Sequence, residues 1–235
     1  MNTLIFYIIL FAILLICELL YFRIARYYNI GDNVTHRSSH KDYQLTGGGI
    51  IFIISAIIFW MWYSIWQQAT PLPHFDIMMK CALGLAIISF VDDIKDLPPI
   101  TRLIVHIIVV AITFSYILQH GYIDIYLLVL VGGVGLINAY DFMDGINGIT
   151  AGYSIVSLGS RLYCYIETPG IPTEFIISLL IATLIFTFFN FRKKAICFAG
   201  DVGAIIMGFF ILFLSCIVII SFLPDGFFLI IEISI

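Results

Sequence analysis

The sequence predicts an all-α fold, a polytopic transmembrane helical bundle of about eight spans with a truncated ninth after them. Three observations predict it. The 235-residue chain is 62% hydrophobic and only 11% charged, where a soluble domain carries about 25% charged residues. Its apolar residues fall in repeated runs close to the ~20 residues that cross ~30 Å of hydrocarbon as a helix. Its basic residues collect in alternate loops, as they do when a chain threads a membrane back and forth.

The elements follow in order. Residues 3–22 are too long for the apolar core of a signal peptide, and no small-residue cleavage site follows, so they read as a retained span. The second span, 48–67, opens on three glycines. The third, 77–91, is short and ends on a pair of aspartates. The fourth, 103–119, follows the Pro98-Pro99 break. The fifth, 123–140, is interrupted by glycines, so it and the third are expected to be partly enclosed by protein. Spans at 147–165, 174–191 and 202–223 complete the set. The run after Asp225 is too short to cross. No internal repeat or low-complexity linker divides the chain, which reads as a single transmembrane domain, 1–235. The five cysteines show no metal spacing, and most sit in apolar runs where Cys behaves as a small hydrophobe, so no disulfide is expected.

The loops after spans one, three, five and seven, with their flanks, hold Arg23, Arg26, Arg37, Lys41, Lys95, Arg102, Arg192, Lys193 and Lys194, nine of the eleven basic residues. Only Lys80 and Arg161 lie on the other side. The odd loops are therefore expected to be cytoplasmic and the N-terminus to face outward. The same loops hold Asp32, Asp42, Asp92, Asp93, Asp96, Asp141, Asp144 and Asp201, eight of the fifteen acids. Glu18 lies inside span one, where a carboxyl turned into the bundle is the simpler reading.

Each loop admits two readings by itself. In the first, Arg37, Ser38, Ser39, His40 and Lys41 suit a phosphate, and the backbone of Gly47, Gly48 and Gly49 can approach an anion at a helix N-terminus; a positive-inside anchor with a flexible turn accounts for the same residues. In the second, Asp92 or Asp93 can converge with Asp96 on a helix face. Such carboxylates suit Mg²⁺ held together with substrate phosphates, or one of them acting as a base; a solvated helix end is the plain alternative. In the third, LINAYDFMDGINGIT, Asp141, Asp144 and Asn147 would form one polar stripe on a helix, and a polar stripe between apolar runs faces a cavity rather than lipid. In the fourth, Arg192, Lys193 and Lys194 precede Gly200-Asp201-Val202-Gly203, basic groups beside a carboxylate as a diphosphate substrate needs; the basic patch alone also serves orientation. Together the loops give one face with acids for a metal, basic groups for phosphates and amides for a polar head.

The segments RSSH…GGGI, VDDIKDL, NAYDFMDGINGI and FAGDVG, in that order and over nearly the whole chain, resemble the bacterial polyprenyl-phosphate N-acetylhexosamine-1-phosphate transferases of the glycosyltransferase family 4 type. The RSSH and FMDGING wording is closer to the O-antigen and surface-polysaccharide initiating branch than to the peptidoglycan branch. The resemblance implies transfer of N-acetylhexosamine-1-phosphate from a UDP-sugar (UDP-GlcNAc or a related one) to undecaprenyl phosphate, with release of UMP and dependence on Mg²⁺ or Mn²⁺. It implies a multi-pass protein of the bacterial inner membrane with its site on the cytoplasmic face. The implied partners are a UDP-N-acetylhexosamine, a polyprenyl phosphate, the bilayer and a second copy in a homodimer, with no nucleic acid.

By the same resemblance, Asp92 and Asp93 match the paired aspartates, one of them a proposed base on the lipid phosphate. Asp144 matches an acid near the metal and the nucleotide, and Asp201 a magnesium-binding aspartate. Asn138 and Asn147 match polar positions of the third motif, and Phe198 an aromatic that can stack on uracil. His40, Lys41, Gly48 and Asn190 are further expected substrate-binding residues. Direct attack by the lipid phosphate is the favoured course, since phosphoryl transfer needs chiefly orientation and charge neutralisation.

The chain departs from the family's pattern at Gln44-Leu45-Thr46, where an arginine is missing, at Asn147, often Asp, and at Ala199 and Ala204. It also stops where the family continues through further spans and a His- and Arg-bearing loop. An inactive or partner-dependent shortened paralogue is therefore one alternative. An ion-coupled transporter is another, but it would place its acids near the bilayer midplane rather than at span ends.

Overall fold

The computed structural model describes residues 2–32, 44–66, 73–95, 97–117, 123–165 and 173–221. His40 and Lys41, with the rest of the first basic loop, and the short ninth apolar run lie outside these residues. The described chain is an all-α membrane bundle of eight helices: α1 (Thr3–Tyr28), α2 (Ile50–Trp66), α3 (Pro73–Lys95), α4 (Pro99–Ile117), α5 (Ile123–Met143), α6 (Ile149–Tyr165), α7 (Thr173–Asn190) and α8 (Gly200–Ser221). Each coincides with one expected span. A feature not expected is a two-residue antiparallel ladder, β1 (Gly31–Asp32) with β2 (Gln44–Leu45), extended by a bridge from Leu45 to Cys197. No disulfide links the five cysteines.

Four helices, α1, α5, α7 and α8, are long and apolar enough to cross a membrane, and α2 and α4 hold shorter apolar stretches. Helices α3 and α6 each carry a charge bonded to a neighbouring helix. Trp60 Nε1 donates to Asp76 of α3 at 2.8 Å, and Arg161 of α6 donates to the Ser157 carbonyl at 2.7 Å and to Ser215. Pairing of this kind is what makes a charge at membrane depth tolerable.

Helix α8 is apolar all round, and such a helix is buried on all sides. Every side chain from Val202 to Leu214 is buried, against α5, α3, α6 and α2. Its first turn approaches the start of α2 so closely that a Cβ on Gly49 would lie 2.4 Å from Gly203 Cα. Helix α1, by contrast, lies at the edge. Asn2 caps its start, Asn29 ends it in a left-handed conformation (φ 55°), and Leu4, Ile8, Ile16 and Ile24 are exposed as lipid-facing residues should be.

Candidate active site

The described residues of the four connections that follow α1, α3, α5 and α7 meet at one end of the bundle. Their junction is the N-terminus of α8, which would otherwise leave unpaired backbone N–H groups and a partial positive charge in a buried place. Two aspartates from elsewhere in the chain satisfy it. Asp93, in the last turn of α3, accepts from the N–H groups of Asp201 and Val202, both at 3.1 Å, and from Thr46 Oγ1 at 3.3 Å. Asp144, just past α5, accepts from Gly200 N at 2.7 Å, Ala199 N at 3.1 Å and Thr150 Oγ1 at 3.0 Å. Burial outweighs these bonds and pushes the Asp144 carboxyl up to about 7, with the nearby Asp93 adding to the rise.

The remaining acids gather round one guanidinium. Arg102, in the first turn of α4, places Nη1 3.1 Å from Asp92 Oδ2, 3.1 Å from Asp201 Oδ2 and 3.7 Å from Asp141 Oδ2. Asp92 also accepts from Leu97 N at 2.5 Å, which folds the chain back between α3 and α4. Three carboxylates around one cation leave a net negative cluster. All five aspartates, with Phe198, Thr46 and Gly145, line a single cavity of about 550 Å³.

The helical stripe expected of Asp141, Asp144 and Asn147 does not form. Helix α5 ends at Met143, and the turn that follows contains Gly145 and a left-handed Gly148 (φ +81°). The three side chains therefore part: Asp141 toward Arg102, Asp144 to α8, and Asn147 to the Arg192 carbonyl at 3.0 Å. A Cβ on Gly148 would lie 1.9 Å from the Phe191 ring, so this turn requires glycine on both counts. The anion cradle expected of the glycines opening α2 is also corrected. Gly48 N donates to the Phe198 carbonyl and Gly49 N to the Ala199 carbonyl, both at 2.9 Å. The glycines serve the close approach of α2 to the α8 entry.

The amides have structural partners as well. Asn190, 1% exposed, accepts from Gly148 N at 2.8 Å and donates to the Cys197 carbonyl at 2.9 Å, so it joins the third and fourth loops. Asn138 Nδ2 donates to the Val134 carbonyl of its own helix at 2.7 Å. Among the expected site residues, then, Asp92, Asp93, Asp144, Asp201 and Phe198 come together in the cavity, while Gly48, Asn138, Asn147 and Asn190 are held by backbone groups. Sequence reasoning assigned Arg102 to membrane orientation only. The available signal was an arginine opening a helix within ten residues of an aspartate pair.

Hard carboxylate oxygens facing a cavity suit Mg²⁺, which is held by one or two protein carboxylates together with substrate phosphates and waters. The convergence of Asp92, Asp141 and Asp201 on one cation fits that donor set. As arranged, they surround Arg102 and form no ready three-residue metal cluster among the described residues. Asp144 stands apart from this group, with both oxygens on the α8 entry.

A bundle of apolar helices with a cavity of aspartates at one end defines an integral membrane protein with a polar site. Residues 75–219, more than half of the chain, match glycosyl transferase family 4, and the chain belongs to that family. It is similar to the phospho-N-acetylmuramoyl-pentapeptide-transferases of Lactobacillus gasseri (27% identity over 190 residues) and Lacticaseibacillus paracasei (30% over 190 residues). Each match covers 69% of this chain and 58% of the relative, so the chain spans under two thirds of the length of these relatives.

Proposed function

We propose that the chain transfers N-acetylhexosamine-1-phosphate from a UDP-sugar, UDP-GlcNAc or a related one, to undecaprenyl phosphate on the cytoplasmic face of the bacterial inner membrane, as the first step of a surface polysaccharide. An oxygen of the lipid phosphate bonds to the sugar-bearing phosphorus, and the bond from that phosphorus to the UMP oxygen breaks. The observation that carries this reading is the meeting of five aspartates, from three helices and a turn, around one cavity.

In this reading Asp92 is the base toward the lipid phosphate, since it faces the cavity beside Arg102. Asp93 and Asp144 are positioning residues that fix the α8 entry, so that Asp201 and Phe198 face the substrate. Phe198 offers its ring to uracil. Mg²⁺ or Mn²⁺, held by Asp201 with Asp92 or Asp141, would neutralise the diphosphate. Arg102 is a fixed cation suited to phosphate oxygens. The relatives carry the name of a peptidoglycan enzyme, whereas the surface-polysaccharide branch rests on the motif wording alone, so the sugar is the point to test. Membranes containing the protein are supplied with UDP-GlcNAc, UDP-GalNAc or UDP-N-acetylmuramoyl-pentapeptide, each labelled in the sugar, and organic-soluble product is counted. Label from a simple UDP-HexNAc supports the reading; label from the muramoyl-pentapeptide alone replaces it with the peptidoglycan reaction.

A further inference from the structure

The seam between α1 and α7 carries two cavities that meet at Phe189. One, about 380 Å³, is lined by Phe11 and Leu15 of α1 and Leu184 and Phe188 of α7. The other, about 430 Å³, lies nearer the loop end, between Leu19, Leu20 and Phe22 of α1 and Ile196. Phe22, which lines the second cavity, packs edge-on against Phe189 at 5.0 Å. Leu19, Leu20 and Phe188 are exposed along the rim, so the groove opens toward lipid.

Its loop end is basic. Arg23 and Arg26 line the upper cavity and are three residues apart on one helix face. Arg192 lies over the Phe188 ring at 4.6 Å, at the same end of the seam. Among the described residues no ion pair joins these three arginines to a carboxylate. From Phe11 to Arg26 the groove follows α1 for roughly 22 Å at ~1.5 Å per residue. One leaflet with its headgroup layer is about 20–22 Å, half of a ~40–45 Å bilayer.

The geometry points to a binding site for one anionic phospholipid, its phosphate between Arg23, Arg26 and Arg192 and an acyl chain along the α1–α7 groove. Charge selects an anionic head, and the length selects a lipid of a single leaflet rather than a long polyprenyl chain. The site is separate from the aspartate cavity and does not depend on the reaction proposed there.

The test is native mass spectrometry of the detergent-purified full chain with phosphatidylglycerol, phosphatidylcholine or undecaprenyl phosphate added. Wild type is expected to retain phosphatidylglycerol well above phosphatidylcholine. Arg23→Gln/Arg26→Gln should lose roughly 30-fold in that preference, at about fivefold per arginine. Leu19→Trp, which fills the groove and keeps the charges, should also lower retention, so that loss is traced to the groove and not to charge alone. Equal retention of the two phospholipids by wild type, or an unchanged preference in the arginine variant, would overturn the proposal. So would displacement of phosphatidylglycerol by an equimolar amount of undecaprenyl phosphate.

Discussion

Replacing Arg102 by Gln should do more harm to the metal-free protein than the loss of one surface charge. Its Nη1 lies 3.1, 3.1 and 3.7 Å from three carboxylates. At an effective dielectric of about 20, contacts of those lengths are each worth about 4.5–5.5 kcal/mol in gross Coulomb energy. Desolvation of the four groups and repulsion among the acids return most of this. Breaking a buried pair costs about 3–5 kcal/mol net, and because the Arg102 side chain is 30% exposed about 2–4 kcal/mol is the working figure. For a chain of this size that is a fall of roughly 5–15 °C in melting temperature. The variant also leaves three carboxylates with no cation among them, so Mg²⁺ should stabilise it more than it stabilises wild type. A ligand at about 100 times its Kd adds about 2.7 kcal/mol. The assay is thermal unfolding of detergent-purified protein with and without millimolar Mg²⁺, Arg102→Gln beside wild type. A variant that melts like wild type without metal, or one with no larger Mg²⁺ response, would refute the reasoning.

Other outcomes follow from the same geometry. The Asp144 carboxyl ionises at about 7 in the folded protein, against an ordinary value of 3.8, so the folded state holds this proton longer than the unfolded one. Its contribution is full below about pH 4, falls as pH rises toward 7 and is level above that; the melting-temperature difference between wild type and Asp144→Asn, measured from pH 4 to 8, should change across that window and nowhere else. Asn190→Ala removes two buried hydrogen bonds that join loops and should lower the melting temperature, at about 1–3 kcal/mol for each group left unpaired. Gly49→Ala has no room against Gly203 and should cost about 1–3 kcal/mol by overpacking, seen as reduced yield of folded protein on size-exclusion chromatography. Phe198→Leu keeps apolar bulk but removes the aromatic face; with stacking worth about 1–3 kcal/mol per base, the KM for a UDP-sugar should rise about tenfold or more.

Much of the architecture was legible because lipid imposes so few solutions. Runs of about 20 apolar residues must become helices, and every helix falls on an expected span. The meeting of alternate loops could be read from basic residues and acids falling on the same side. The division of labour among the aspartates could not. Asp92 and Asp93 are adjacent, yet successive side chains on a helix point about 100° apart, and one faces Arg102 while the other caps α8. Asp141 and Asp144 have a helical spacing, but the helix stops between them because of two glycines. Gly47, Gly48 and Gly49 suit an anion cradle and a close helix approach equally well in sequence, and only the position of α8 decides between them. Asn190 looks like any polar residue closing an apolar run until Gly148 and Cys197 are seen on either side of it.

The central claim is that this cavity performs phosphosugar transfer. The most direct measurement is UMP release from a UDP-N-acetylhexosamine by the purified chain with undecaprenyl phosphate and Mg²⁺, alongside Asp92→Asn and Asp201→Asn. The expected result is UMP release that needs both the lipid phosphate and the metal, and that falls by orders of magnitude in either variant while both variants still express as folded protein. No UMP from any UDP-HexNAc, beside a family 4 relative that releases it under the same conditions, would contradict the account, as would undiminished release by both variants.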